Sequence, residues 1–202
     1  EEYISLEDAK YGMEFSSVAH NQGFQDGDIL IKADETPLEA LSEETMRIIL
    51  NAKEVFVLRG TDTVKISISD NFMEDLITSK EGFANFRFPF VVKEIMPVTP
   101  AEISGLQSGD SLVSINGENL MFVSEFSIVL ANNPLKETTL GLYRNGEYKE
   151  INITPDANGK IGVYLTPYYE FYNITKKEYG FLESFPAGIE KAYKKIVGYA
   201  ND

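Results

Sequence analysis

The 202-residue chain predicts a mainly β fold with short helices, an α+β protein made of two copies of one module and closed by a C-terminal helix. Three observations carry this reading. The stretch Gly23-Phe24-Gln25-Asp26-Gly27-Asp28-Ile29-Leu30-Ile31-Lys32-Ala33-Asp34 returns 82 positions later as Gly105-Leu106-Gln107-Ser108-Gly109-Asp110-Ser111-Leu112-Val113-Ser114-Ile115-Asn116. Each copy is followed by the same order of periodicities, one helical stripe and then two strands joined by a tight turn. The last residues carry apolar side chains at helical spacing behind a capping serine.

In the first copy, residues 11–15 predict a short strand, and residues up to Gln22 a turn-rich segment. The Gly27-Asp28 pair predicts a turn, because glycine tolerates a positive φ and aspartate accepts hydrogen bonds from turn amides. A strand follows. Ser42 predicts a helix N-cap, Glu43 and Glu44 suit the positive end of the helix dipole, and Met46, Ile49 and Leu50 form its apolar stripe. Strands are predicted over residues 54–59 and 63–69 around Gly60-Thr61-Asp62, then a loop or short helix over 70–80, then an extended segment crowded with Phe83, Phe86, Phe88 and Phe90.

The second copy repeats the order: a strand over residues 91–96, a turn and short helical piece from Pro97 to Ala101, and the Gly109-Asp110 strand ending in Asn116-Gly117, a strong tight-turn signal. The first copy has Asp34-Glu35 there, a less favourable turn. A helix over residues 122–131, strands over 138–143 and 147–153 around Asn145-Gly146, and a glycine-flanked strand over 159–165 complete it. Ser184 caps a final helix with Pro186 in its first turn. Phe185, Ile189, Tyr193 and Ile196-Val197 lie on one side of that helix, with Lys191, Lys194 and Lys195 on the other.

Composition narrows the function. With 18 basic and 32 acidic side chains the net charge is −14, which repels phosphate backbones and excludes nucleic acid as a partner. Cysteine is absent and His20 is the lone histidine, so thiol catalysis, disulfides and a histidine-rich zinc site are all excluded; His20 is read as a surface turn residue. No Gly-x-Ser-x-Gly, phosphate loop or metal-ligand spacing is present. A chain that opens on Glu1-Glu2 and stops at Asp202 reads as a piece of a longer protein.

The order strand, Pro-Ala turn, Gly-x-x-Gly-Asp, strand, Asn-Gly, helix, two strands and a final glycine-bounded strand resembles the circularly permuted PDZ domain of bacterial proteases. Thr99-Pro100-Ala101, Gly105-Leu106, Gly109-Asp110 and Ile115-Asn116-Gly117 carry it in the second copy. The first copy is degenerate, since Val18-Ala19 lacks the proline and Asp34-Glu35 the glycine. Two such modules followed by Tyr179-Gly180-Phe181-Leu182-Glu183-Ser184-Phe185-Pro186-Ala187-Gly188-Ile189 resemble the extracytoplasmic region of RseP-type site-2 intramembrane zinc metalloproteases. The resemblance divides the chain into residues 1–88 and 89–168, the two PDZ domains, and 169–202, a linker with an amphipathic, membrane-proximal helix.

That resemblance implies several things about function. The module binds an extended peptide as an added strand. In the second copy the groove lies between residues 159–165 and the helix 122–131. Backbone amides near Lys160, Ile161, Gly162 and Val163 would take a C-terminal carboxylate, and Phe126, Val129 and Leu130 would supply an apolar pocket. In the first copy Gly82 and Phe83 lead the strand opposite residues 45–50. Partners would be peptide or protein substrate C-termini, membrane-anchored anti-sigma-factor-like proteins among them. The parent protein would sit in the inner membrane with this region on the periplasmic side. Zinc belongs to that parent: the family holds it with His-Glu-x-x-His, which one histidine cannot supply, so no cofactor and no catalytic residue is expected here. Alternatives are the PDZ pair of a periplasmic DegP-type serine protease and a peptide-binding scaffold without a protease.

Overall fold

The computed structural model describes residues 2–176; the predicted helix beginning at Ser184 lies outside the described residues. The elements run in chain order β1 (Glu2–Ile4), β2 (Met13–Phe15), α1 (Ser17–Gln22), β3 (Ile29–Ala33), β4 (Thr36–Pro37), α2 (Glu43–Asn51), β5 (Glu54–Arg59), β6 (Asp62–Ser67), α3 (Phe72–Ser79) and β7 (Ala84–Phe86). They continue with β8 (Val92–Ile95), α4 (Pro100–Ser104), β9 (Ser111–Ile115), β10 (Glu118–Asn119), α5 (Val123–Ala131), β11 (Thr138–Arg144), β12 (Glu147–Ile153), β13 (Val163–Leu165) and β14 (Ile174–Lys176).

One arrangement appears twice. The sheet β4-β3-β5-β6 with the pair β2-β7 is matched by the sheet β10-β9-β11-β12 with the pair β8-β13. Each set encloses its own apolar cluster. Phe24, Leu30, Ile49, Val55 and Phe72 are buried in the first, and Leu112, Ile115, Phe126, Leu140 and Leu142 in the second. Both lie in one compact unit, residues 4–173. The other unit contains Glu2 and Tyr3 of β1 together with β14, the two strands being hydrogen-bonded to each other, with Lys176 Nζ 2.8 Å from Glu2 Oε1.

The repeated sequence builds repeated contacts. Asp28 and Asp110 end the Gly-Asp turn with almost no solvent exposure, and each receives two hydrogen bonds from the arginine that ends the facing strand. Arg144 Nε and Nη2 lie 2.7 Å from the Asp110 oxygens, and Arg59 Nε and Nη2 lie 2.8 Å from those of Asp28. The same Nη2 atoms donate to the carbonyls of Gly105 and Gly23, locking turn to sheet. Hydrogen bonding to the carboxylates raises the pKa of both guanidinium groups above the ordinary arginine value.

The turn expected to be weaker in the first copy shares its first residue's conformation with the second but not its second residue's, since Gly117 has a positive φ and Glu35 does not. Asp34 (φ 48) and Asn116 (φ 50) both adopt the left-handed conformation. Asp34 accepts from the amides of Lys53 and Glu54, as Asn116 accepts from that of Thr139. Aspartate and asparagine tolerate this region because their short side chains bond locally.

Two expectations change and one is narrowed. The turn-rich segment ending at Gln22 is the helix α1, capped by Ser16, whose hydroxyl accepts from the Ala19 amide at 3.3 Å. Of the loop or short helix expected over residues 70–80, the helix is what forms: α3, Phe72–Ser79, packed against α1. The closing strand is shorter than 159–165, since residues 159–162 form a loop in which Gly159 (φ 72) and Gly162 (φ 83) are left-handed.

Candidate functional site

In the second module β13 pairs with β8 on one side only. The Met96 amide donates to the Gly162 carbonyl at 3.0 Å and Val163 lies opposite Ile95. The Gly162 carbonyl faces β8, and because antiparallel residues alternate between the two edges, Tyr164 also turns its backbone groups toward β8 while Val163 turns its own toward the other edge. That edge has no strand partner among the described residues.

The loop leading into β13 is held from three sides. The Ile161 carbonyl accepts from the Ala101 amide at 2.8 Å. Asp156 Oδ1 accepts from the amides of Asn158 and Lys160, both at 2.8 Å. Gly159 lies so close to α5 that a Cβ would come within 2.5 Å of Ala131 Cα, and a Cβ on Gly162 would come within 2.3 Å of Thr99 Cβ. Only glycine fits either place, both for space and for φ. The Ile161 and Gly162 amides have no acceptor among the described residues. Two adjacent unpaired N–H groups at the head of an open strand edge have the chemistry to receive a carboxylate.

The residues expected to form the site separate into two groups. Ile161, Phe126 and Leu130 are core residues, buried in the second cluster; they make the floor beneath the edge, not an open pocket. Sequence periodicity identifies an apolar helix face but not the neighbour that covers it. Val129 and Val163 are half-buried and pack against that cluster. The Lys160 amide is taken by Asp156, which leaves the next two amides for a ligand.

The corresponding place in the first module is built differently. Phe83 is a core residue whose ring meets those of Phe15, Phe24 and Phe72 edge to face at 5.4, 5.2 and 6.0 Å. Gly82 is exposed, with open space where a Cβ would go. Instead of a glycine loop, α3 precedes β7. Glu81 bonds back to the start of α1, accepting from the Ser17 amide at 2.9 Å and the Ser17 hydroxyl at 2.8 Å. The Glu81 carboxylate is thus engaged at the start of α1, just past the paired strand β2.

Two residue sets were missed by sequence reasoning. Arg59 and Arg144 recur at the same strand position, which is a readable signal, but their partners lie 31 and 34 residues away and require the sheet register. The aromatic segment after β13 also has a place: a 3₁₀ turn at Tyr168–Phe171 brings Tyr168, Phe171 and Tyr172 onto Phe86 and Phe88. Tyr172 is buried, its hydroxyl donates to the Arg87 carbonyl, and burial raises its phenol pKa far above the usual value.

The residues present do not fit a zinc centre: no cluster of three potential ligands exists among the described residues. His20 lies in α1 with its Nε2 3.0 Å from Asp26 Oδ1. No described helix is long and apolar enough to cross a membrane.

A family model for the PDZ domain matches residues 77–143, ending within β11 before the two strands that close the second module. A zinc metalloprotease RasP of Oceanobacillus iheyensis is 32% identical over 104 residues, 50% of this chain and 24% of that protein. A probable protease eep of Enterococcus faecalis is 31% identical over 80 residues, 36% of this chain and 19% of its own length. A putative zinc metalloprotease of Borreliella burgdorferi is 24% identical over 184 residues, covering 89% of this chain and 39% of that protein. Among solved structures, the PDZ domain of an SdrC-like protein from Listeria monocytogenes matches 40% of this chain and 90% of that one, with a TM-score of 0.33 and 18% identity. The PDZ match and the similarity to RasP and RseP zinc metalloproteases support a PDZ region of an RseP-type protease. It spans between about a fifth and two fifths of the length of these curated relatives.

Proposed function

We propose that this chain is the extracytoplasmic regulatory region of a membrane-embedded zinc metalloprotease. Residues 1–88 and 89–168 act as two PDZ modules and residues 169–202 as the connection toward the membrane. The pair gates substrate access to the protease site on the periplasmic side, by docking an apolar chain end or by excluding bulky domains. Zinc and the catalytic groups belong to another part of the protein, in keeping with one histidine and no cysteine here.

The observation that carries the docking version is the open edge of β13 beside the apolar helix α5, headed by the unpaired amides of Ile161 and Gly162. An added peptide strand would bond to Val163 and place its terminal carboxylate at those amides, with its last side chain over Val129 and Val163. The first module is the weaker site, because the segment before β7 lacks the two left-handed glycines that seat the loop before β13. Calorimetric titration with peptides ending in Val or Leu tests this. Binding is expected for the free acid and not for the C-terminal amide, and Val163→Asp is expected to abolish it while leaving the circular dichroism unchanged. No binding to any such peptide removes docking and leaves size exclusion. In that case, deleting residues 4–173 from the parent enzyme should let substrates with bulky extracytoplasmic domains be cut.

A further inference from the structure

The strand that frames one docking edge and the helix that frames the other meet at one residue. Arg87 directly follows β7, and its amide donates to the Gly12 carbonyl, just ahead of β2, at 3.3 Å. Its guanidinium carbon lies 3.7 Å from the ring centroid of Phe122, and Nη2 donates to Glu125 Oε1 at 3.1 Å. The other oxygen of Glu125 accepts from the amides of Met121 and Phe122 at 2.8 and 3.0 Å, which caps α5. The first turn of α5 also donates from the Val123 amide to the Phe88 carbonyl at 3.2 Å. The Arg87 carbonyl, finally, accepts from the Tyr172 hydroxyl.

We infer that Arg87 is a clasp joining the two modules into one cooperative unit, so that displacing α5 or β7 at one docking edge is felt at the other. Side chains from both modules and from the segment after β13 converge on it, and its guanidinium is mostly removed from water, where charge-assisted bonds and cation–π contacts are strengthened. The clasp is also poised. Arg87 Nε is buried with no acceptor among the described residues, and an unsatisfied buried donor works against the closed arrangement. The link to docking rests on the proposed PDZ function; the cooperativity does not.

Hydrogen exchange read by mass spectrometry on the whole chain tests the clasp without any ligand. Arg87→Met is expected to raise exchange by roughly tenfold both at 84–86 and at 123–126, with β3, β5, β9 and β11 still protected. Glu125→Gln should do the same more weakly, and the double variant should add little to Arg87→Met. If Arg87→Met does not fold, Glu125→Gln alone gives the reading. Exchange that rises in one module only, or two independent thermal transitions in the unmodified chain, overturns the inference. In a second arm, a peptide bound at 160–165 should protect 84–86 in the unmodified chain and not in Arg87→Met; protection that persists in the variant counts against the clasp. If no peptide binds, the docking function falls while the ligand-free exchange still decides the clasp.

Discussion

A carboxylate removed from water needs a cation, and Asp110 has Arg144 in a two-pronged contact at 2.7 Å. Removing the cation leaves a buried charge uncompensated, so Arg144→Met should cost about 3 kcal/mol in urea unfolding. Arg59→Met should cost less, because the Arg59 side chain is 30% exposed against 19% for Arg144 and water replaces more of what is lost. Equal costs would show that exposure does not set the scale. Tyr172 gives a pH dependence. Burial favours the neutral phenol, so its folded-state pKa is raised. Its contribution is fully present below the unfolded tyrosine value near pH 10 and is lost as pH rises toward the higher folded value. The melting temperature should therefore fall above about pH 10, and Tyr172→Phe should flatten that fall. The turn role of Asp110 was legible in Gly109-Asp110, but its arginine was not, because a contact spanning 34 residues depends on which strands become neighbours.

Among the elements, the loop before β13 decides the site. Gly159→Ala would place a methyl group against the α5 backbone, which cannot retreat as a flexible side chain can, and would impose φ 72 on an L-residue. The expected cost is above 1 kcal/mol, with exchange at 159–165 rising first; a variant as stable as the original would mean that the loop is not seated on the helix. The helices α2 and α5 were readable from their apolar stripes and, for α2, from Ser42, whose hydroxyl accepts from the Thr45 amide. The helix α1 was not, because six residues are too few to show a period. The strand over 159–165 was overextended because apolar alternation says nothing of two left-handed glycines.

At the scale of the molecule, charge and module coupling dominate. Residues 1–88 hold 8 basic and 18 acidic groups, and residues 89–202 hold 10 and 14. The described surface ion pairs are few and mostly exposed, so like-charge repulsion exceeds what they return. Raising salt from about 0.01 to 0.15 M, which shortens the screening length from about 30 to 8 Å, should raise the melting temperature. A fall would mean that the ion pairs outweigh the repulsion. The twofold architecture itself was written in the 82-residue repeat, whereas the packing of Tyr168, Phe171 and Tyr172 back onto Phe86 and Phe88 was not.

What the residues determined on their own is local and periodic: the duplicated module, the Gly-Asp and Asn-Gly turns, the capped α2, and the order of strands that marks the PDZ fold. Tertiary structure alone decided which apolar faces are covered, which strand edge stays open, and that Arg87 meets Glu125 and Phe122. The physical reason is range. Turn chemistry and amphipathic period act within a few residues, while burial, edge pairing and the partner of a buried charge depend on groups brought together by folding.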